Sequence, residues 1–159
     1  FIVLGSIRRE EEIKIQWLIK KITQENPKTT IALFPRHMKR LTLWENFLNR
    51  HNITWVLRSQ IENRTSPYNV ILWDKFGELV HAYALAKSVY VGGSLVPCGG
   101  QNFLEPVSQG VIPCIGPFWD NFHWVGKEFL SSGLIHQIND EKELYSKLIA
   151  PGAHSKEKI

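Results

Sequence analysis

The sequence predicts an α/β fold, a Rossmann-like parallel sheet with helices on both faces. Two observations predict it. Apolar runs of about five residues alternate along the chain with helical patterns of about ten to fifteen, the rhythm of strand–helix–strand crossovers that lay helices over both faces of a parallel sheet. Polar and glycine-rich residues collect directly after the apolar runs, at the strand ends where such sheets bind their ligands. The 159 residues make one domain, large enough to bury a core. No internal repeat, heptad or low-complexity tract competes with this reading.

FIVLGS (1–6) is the first strand. Over Glu10 to Glu25 a helix places Ile13, Trp17, Leu18 and Ile22 on one face. TTIALF (29–34) is the second strand, followed by a helix around Leu43, Trp44, Phe47 and Leu48. ITWVL (53–57) is the third strand, and the polar, aperiodic stretch Ser59 to Tyr68 reads as a mobile loop. NVILW (69–73) is the fourth strand, Glu78 to Lys87 a helix, and SVYVGG (88–93) a fifth strand that runs into a glycine loop. Asn102 to Gln109 is a short helix stopped by Gly110. VIPCIG (111–116) is the sixth strand, and His123 to Ser131 a helix anchored by Trp124 and Phe129. LIHQI (134–138) is a last short strand, and Asp140 caps a final helix.

Hydrophobic residues are 43% of the chain and charged residues 21%, ordinary values for a globular protein. No apolar run reaches the ~18 residues that span a bilayer, and no signal peptide opens the chain. The chain begins at Phe1 inside a core-like strand, which suggests a piece of a larger protein. Two cysteines, Cys98 and Cys114, fit a reducing cytosol better than a disulfide frame, and the sequons at Asn52 and Asn63 are then accidental. The net charge of +4 fits an anionic substrate, an anionic membrane surface or a nucleic acid, and selects none of them.

Known fingerprints are missing: there is no GxGxxG, no GxxxxGK[ST], no G-x-S-x-G elbow, and the six histidines are scattered without metal-ligand spacing. Attention falls on the strand ends. GSIRR follows the first strand, PRH the second, DKFGE the fourth and GGSLVPCGGQNFLEP the fifth. Two glycine pairs before a helix that starts near Asn102 would let an anion approach free N–H groups. Glu105, three residues on, reads equally as a carboxylate for a ribose diol and as a favourable acid in a first helical turn. Pro106 is tolerated in that turn. Arg36 follows Pro35, which would aim its guanidinium at a phosphate or carboxylate; the alternative is a surface arginine. His37, Lys39 and Arg40 supply field rather than contact. Gly77, Glu78 and Leu79 open a helix whose N–H groups could meet a base edge or simply be capped. Glu10, Glu11 and Glu12 read as acids favoured by a helix dipole.

Together PRH (35–37), FGEL (76–79), YALAKSVYVGGSL (83–95), GGQNFLEPVSQG (99–110) and GPFWDNF (116–122) resemble the C-terminal half of the bacterial 3-deoxy-D-manno-octulosonic acid (Kdo) transferases. The resemblance implies one half of a GT-B glycosyltransferase. Residues 1–150 would be the domain that binds the donor CMP-Kdo, and 151–159 a polar tail. An N-terminal domain that binds the lipid A precursor and supplies the catalytic base would lie outside this chain. It implies inverting transfer in lipopolysaccharide assembly, membrane association at the cytoplasmic face of the inner membrane, no metal or other cofactor, and no nucleic acid. An isolated donor domain would be inactive.

Carried over residue by residue, the CMP contacts are Pro35, Arg36, Gly77, Glu78, Leu79, Asn102, Phe103, Leu104 and Glu105. The chain departs from typical members at GSIRREEE, where they carry Thr-His-x-Gly-Glu-Glu after the GS, and at Gln101 of GGQN, where they carry GGHN. Both departures bear on how the Kdo moiety is handled. The alternatives are a GT-B donor domain for a UDP-sugar and a non-catalytic nucleic-acid or membrane module.

Overall fold

The computed structural model describes residues 1–150, so the tail expected over 151–159 lies outside the described residues. The strands are β1 (Ile2–Ile7), β2 (Ile31–Pro35), β3 (Trp55–Leu57), β4 (Val70–Leu72), β5 (Ser88–Val91), β6 (Cys114–Ile115) and β7 (His136–Gln137). They form one parallel sheet of seven strands in the order β3-β4-β2-β1-β5-β6-β7. The helices are α1 (Glu12–Glu25), α2 (Leu41–Arg50), α3 (Leu79–Leu85), α4 (Leu104–Ser108), α5 (Glu128–Ser131) and α6 (Glu141–Ile149).

The two-residue period of a strand sends neighbouring side chains to opposite faces. Ile2, Leu4, Ile31, Leu33, Val70, Leu72 and Tyr90 form one core with buried residues of α1, α2 and α6. Val3, Ala32, Phe34, Ile71, Trp73, Val89 and Val91 form a second with Ala82 and Tyr83 of α3, with Phe103, and with partly buried residues of α4 and α5. Both faces are covered, which is why the central strands are apolar without interruption. Packing dominates the α1–α6 contact. Ile15 and Leu18 of α1 and Leu144 and Leu148 of α6 are buried in the core that both helices share, each worth about 1.5–3 kcal/mol. The half-exposed Lys14–Glu141 ion pair, 3.2 Å long, contributes at most about 1 kcal/mol.

Three local expectations need correction. The buried stripe of α1 is Ile15, Leu18, Ile19 and Ile22, with Trp17 only partly buried beside it, while Ile13 is 83% exposed. At about 100° per residue, Ile13 lies some 200° from Ile15 and cannot share its face. Ser59 to Tyr68 begins as ordered chain, with a 3₁₀ helix over Arg58–Asn63. The Ser59 amide and hydroxyl both donate to the Asp74 carboxylate and tie this helix to the end of β4. The helix expected over His123 to Ser131 is split into a 3₁₀ turn, Asp120–Val125, and the short α5, with Gly126 at φ 88° between them. Phe129 does pack into the second core, but Trp124 is 74% exposed and anchors nothing.

Candidate functional site

β1 is paired with β2 on one side and with β5 on the other. Chain direction across the sheet reverses at that point, so the loops leaving β1 and β5 diverge and open a crevice. A cavity of about 430 Å³ lies there. Ser6 and Arg8 reach it from β1 and the turn after it, and Arg36 from the residue after β2. The glycine loop contributes Gly100, Gln101 and Asn102, and α4 contributes Glu105. Leu79 and Tyr83 of α3, with Val91, Asn121 and Phe122, supply more of the wall.

The glycines are required mainly by the protein itself. A Cβ on Gly92 would overlap the Ser6 carbonyl oxygen, and Gly93, Gly99 and Gly100 all hold φ at 79°, a region that side chains disfavour. Their N–H groups are also engaged: Gly92 donates to the Gly5 carbonyl (2.8 Å), Gly100 to the Gly93 carbonyl (2.9 Å) and Gly93 to Glu11. The expected open row of phosphate-binding amides is therefore largely used to brace the loop. The following helix is short, Leu104–Ser108, and the Leu104 N–H already bonds to Asn102 Oδ1 at 3.0 Å. Gln101 Nε2 donates to the Ser6 carbonyl, whose residue sits at φ 55°. The two segments that depart from the family pattern thus touch each other in the cavity lining.

Glu11 is the residue that reading the sequence missed most plainly. Its carboxylate is buried and accepts from the Tyr90 hydroxyl, the Gly93 N–H and the Arg8 N–H, the last at 3.1 Å. Burial raises its pKa, against the pull of these donors. Glu12, also buried, takes a bidentate hydrogen bond from Arg40, with both distances 2.9 Å. These acids are crosslinks between β1, the glycine loop and the segment after β2, beyond any service to a helix dipole. Arg40 is spent on Glu12 rather than on general field.

Among the expected contacts, Arg36, Leu79, Asn102 and Glu105 converge on the cavity. Pro35 and Gly77 line an adjoining hollow of about 160 Å³ that shares Ser6, Arg36 and Leu79 with it. Glu78, Phe103 and Leu104 line neither. The Glu78 carboxylate accepts from Trp73 Nε1 at 2.9 Å and pairs with Arg58. The Phe103 ring is fully buried against Trp119, Phe122 and Phe129, and Leu104 packs on the same core. The side chains of these three hold the scaffold.

Ser6, Arg8, Gln101, Asn121 and Phe122 join the site without having been singled out as contacts. Their position in GSIRR, GGQN and GPFWDNF, at strand ends and family motifs, was the available signal.

Among the described residues Arg8, Arg36, Gln101, Asn102, Asn121 and Glu105 line this crevice beside an apolar wall. That set suits an anionic ligand rich in hydroxyls. The thiol of Cys98 is shifted upward by burial and by Glu10, and burial pushes that of Cys114 up to about 12, so neither is an activated nucleophile. Among the described residues no cluster of three or more His, Cys, Asp or Glu could hold a metal ion. A larger hollow of about 610 Å³ lies between β7 and α6, with none of the loops that follow β1, β2 or β5 in its lining.

Fold and site define a Rossmann-like domain with a polar ligand crevice at its switch point. Comparison with known proteins narrows the class. No family model matches the chain. It is 34% identical over 143 residues to a bifunctional glycosyltransferase/methyltransferase of Fusobacterium nucleatum, covering 89% of this chain and 22% of that protein. It is 32% identical over 149 residues to the 3-deoxy-D-manno-octulosonic acid transferase of Aquifex aeolicus, covering 93% and 40% respectively. A crystal structure of the C-terminal CMP-Kdo binding domain of WaaA from Acinetobacter baumannii matches with a TM-score of 0.83 and 27% identity, over 93% of this chain and 77% of that one. The resemblance to the Kdo transferases holds over nearly the whole chain, and the solved structure that it matches is a C-terminal CMP-Kdo binding domain. The chain spans 22% and 40% of the length of these two curated relatives.

Proposed function

We propose that this chain is the donor-nucleotide domain of a Kdo transferase. In this reading the whole protein is an inverting GT-B glycosyltransferase that moves Kdo from CMP-Kdo to the lipid A precursor. It works at the cytoplasmic face of a bacterial inner membrane, and its acceptor site and catalytic base lie outside these residues. The observation that carries the reading is the meeting of Arg36 with Asn102 and Glu105 around one crevice, from two segments far apart in sequence, in a chain whose structural neighbour is a CMP-Kdo binding domain.

Each residue has a role in keeping with its place. The guanidinium of Arg36 holds the donor phosphate as a fixed bidentate donor. Glu105 accepts hydrogen bonds from the ribose hydroxyls. Leu79 and Pro35 offer apolar surface to the base, and the turn at Gly77 lets the base edge come close to the backbone. Asn102 fixes the start of α4 through its bond to Leu104 N–H and so sets the position of Glu105. No cofactor and no metal enters this scheme.

Calorimetric titration with CMP and with UMP tests it. CMP is expected to bind more tightly than UMP, with the same affinity in the presence of a chelator. Glu105→Gln is expected to weaken CMP by roughly ten- to a hundred-fold, since a hydrogen bond to a charged group contributes about 1.5–3 kcal/mol. The same variant should discriminate less between CMP and its 2′-deoxy analogue. Preference for UMP would move the chain to the UDP-sugar enzymes, and loss of binding with the chelator would overturn the metal-free scheme.

A further inference from the structure

We propose that Arg8 is the residue that binds the carboxylate of the sugar acid in the donor, and so distinguishes a Kdo nucleotide from the bare nucleotide. The inference rests on the donor reading above and adds to it a residue and a ligand group.

CMP-Kdo joins a nucleoside monophosphate to an acid sugar, so it brings two separate anions to the crevice, a phosphodiester and a carboxylate. Each anion must be paired once it leaves water. The crevice is lined by two cations, Arg8 and Arg36. Other cations nearby are committed elsewhere: Arg40 to Glu12 and Arg58 to Glu78. Lys75 lines only the adjoining hollow. Among the described residues, with Arg36 on the phosphate, Arg8 is the cation of the crevice left for the carboxylate.

Local structure fits Arg8 for this. Its backbone is fixed, because its N–H donates to the buried Glu11 carboxylate that also holds Gly93. The same buried group therefore sets the distance between the start of the Arg8 side chain and the glycine loop. The guanidinium itself is held loosely. Its ion-pair partner is Glu10 at 3.8 Å, with the glutamate side chain 52% exposed, a weak pair that a bidentate carboxylate can replace; its charge also favours the ionised form of the buried Glu11. The neighbouring Arg9 is exposed and lines neither the crevice nor the adjoining hollow. It supplies a matched control for the loss of one positive charge.

The test is a comparison of CMP and freshly prepared CMP-Kdo binding to the 159-residue chain and to its Arg8→Gln, Arg8→Lys and Arg9→Gln variants. Arg8→Gln is expected to weaken CMP-Kdo by roughly ten- to a hundred-fold, the loss of a charge-assisted pair, and to change CMP by less than about three-fold. Arg8→Lys should recover part of the loss, because it keeps the charge but not the fork. Arg9→Gln should alter neither ligand. Equal weakening of both ligands by Arg8→Gln, or no change in either, would overturn the assignment while leaving the donor reading intact. Failure of the unaltered chain to bind CMP would overturn the donor reading and this assignment with it. Should Arg8→Gln not fold, Arg8→Lys decides the matter, since a selective loss of CMP-Kdo supports the assignment and an unselective one overturns it.

Discussion

Glu11 makes three hydrogen bonds from a position without solvent access, joining the turn after β1 to β5 and the glycine loop. Its pKa lies above the ordinary glutamate value of 4.5 because burial penalises the charged form more than the donors favour it. The stability that comes from the neutral form is fully present below the unfolded value and is lost as pH rises through the raised folded one. Glutamine cannot titrate, and its amide N–H₂ faces donors where Glu11 offers acceptors. Glu11→Gln is thus expected to destabilise most at acidic pH, with the gap to the unaltered chain narrowing towards neutral pH. Urea unfolding of both chains from about pH 4.5 to 8 measures this. A gap that widens with pH would show that the donors outweigh burial. Composition alone does not separate Glu11 from Glu10 within EEE, although the Gly-Glu-Glu of the resembling family falls on positions 10–12 and so sets Glu11 and Glu12 apart; the packing of β5 against β1 encloses Glu11.

At the scale of elements, the glycine loop is a clasp. It closes on β1 through Gly92 and Gln101 and on the 116–122 segment, where the Asn121 N–H donates to the Gly99 carbonyl at 2.9 Å. Gly92→Ala places a methyl group against backbone that cannot rotate away, and is expected to cost about 1–3 kcal/mol. Gly110→Ala, at φ 79° but with open space around it, should cost only the conformational strain, about 1–2 kcal/mol. Chemical denaturation of the two variants compares them. In the Gly92 variant CMP binding should also fall, because the loop that carries Asn102 moves. Equal losses and intact binding would mean that the loop yields without effort. The sequence announced that this loop was unusual. It did not reveal that most of its glycines answer to Ser6, Glu11 and Asn121 rather than to a ligand.

At the scale of the molecule, the chain corresponds to a minor part of its curated relatives, 22% of one and 40% of another. A glycosyl transfer gains much of its rate from holding donor and acceptor in line, and in the proposed function the acceptor site lies outside these residues. The isolated chain is expected to bind donor nucleotide yet to transfer no Kdo when given CMP-Kdo and lipid A precursor. Release of Kdo-modified product at a rate comparable with a full-length transferase would place the catalytic base within these residues.

The sequence by itself determined the seven strands, their alternation with helices and the strand ends that line the crevice, because burial on both faces writes long apolar runs and strand-end loops concentrate glycine and polar residues. It also carried the family motifs, which are local strings. Strand order, the orientation of α1 and the break at Gly126 came only with the tertiary structure, as did the division of 102–105 into cavity-facing Asn102 and Glu105 and core-facing Phe103 and Leu104. The physical reason is common to all of them. A helical face or a loop residue has no inside or outside until a second element packs against it, and here the deciding partners are distant in sequence: Ser6 with Gln101, Glu11 with Gly93, Phe103 with Trp119.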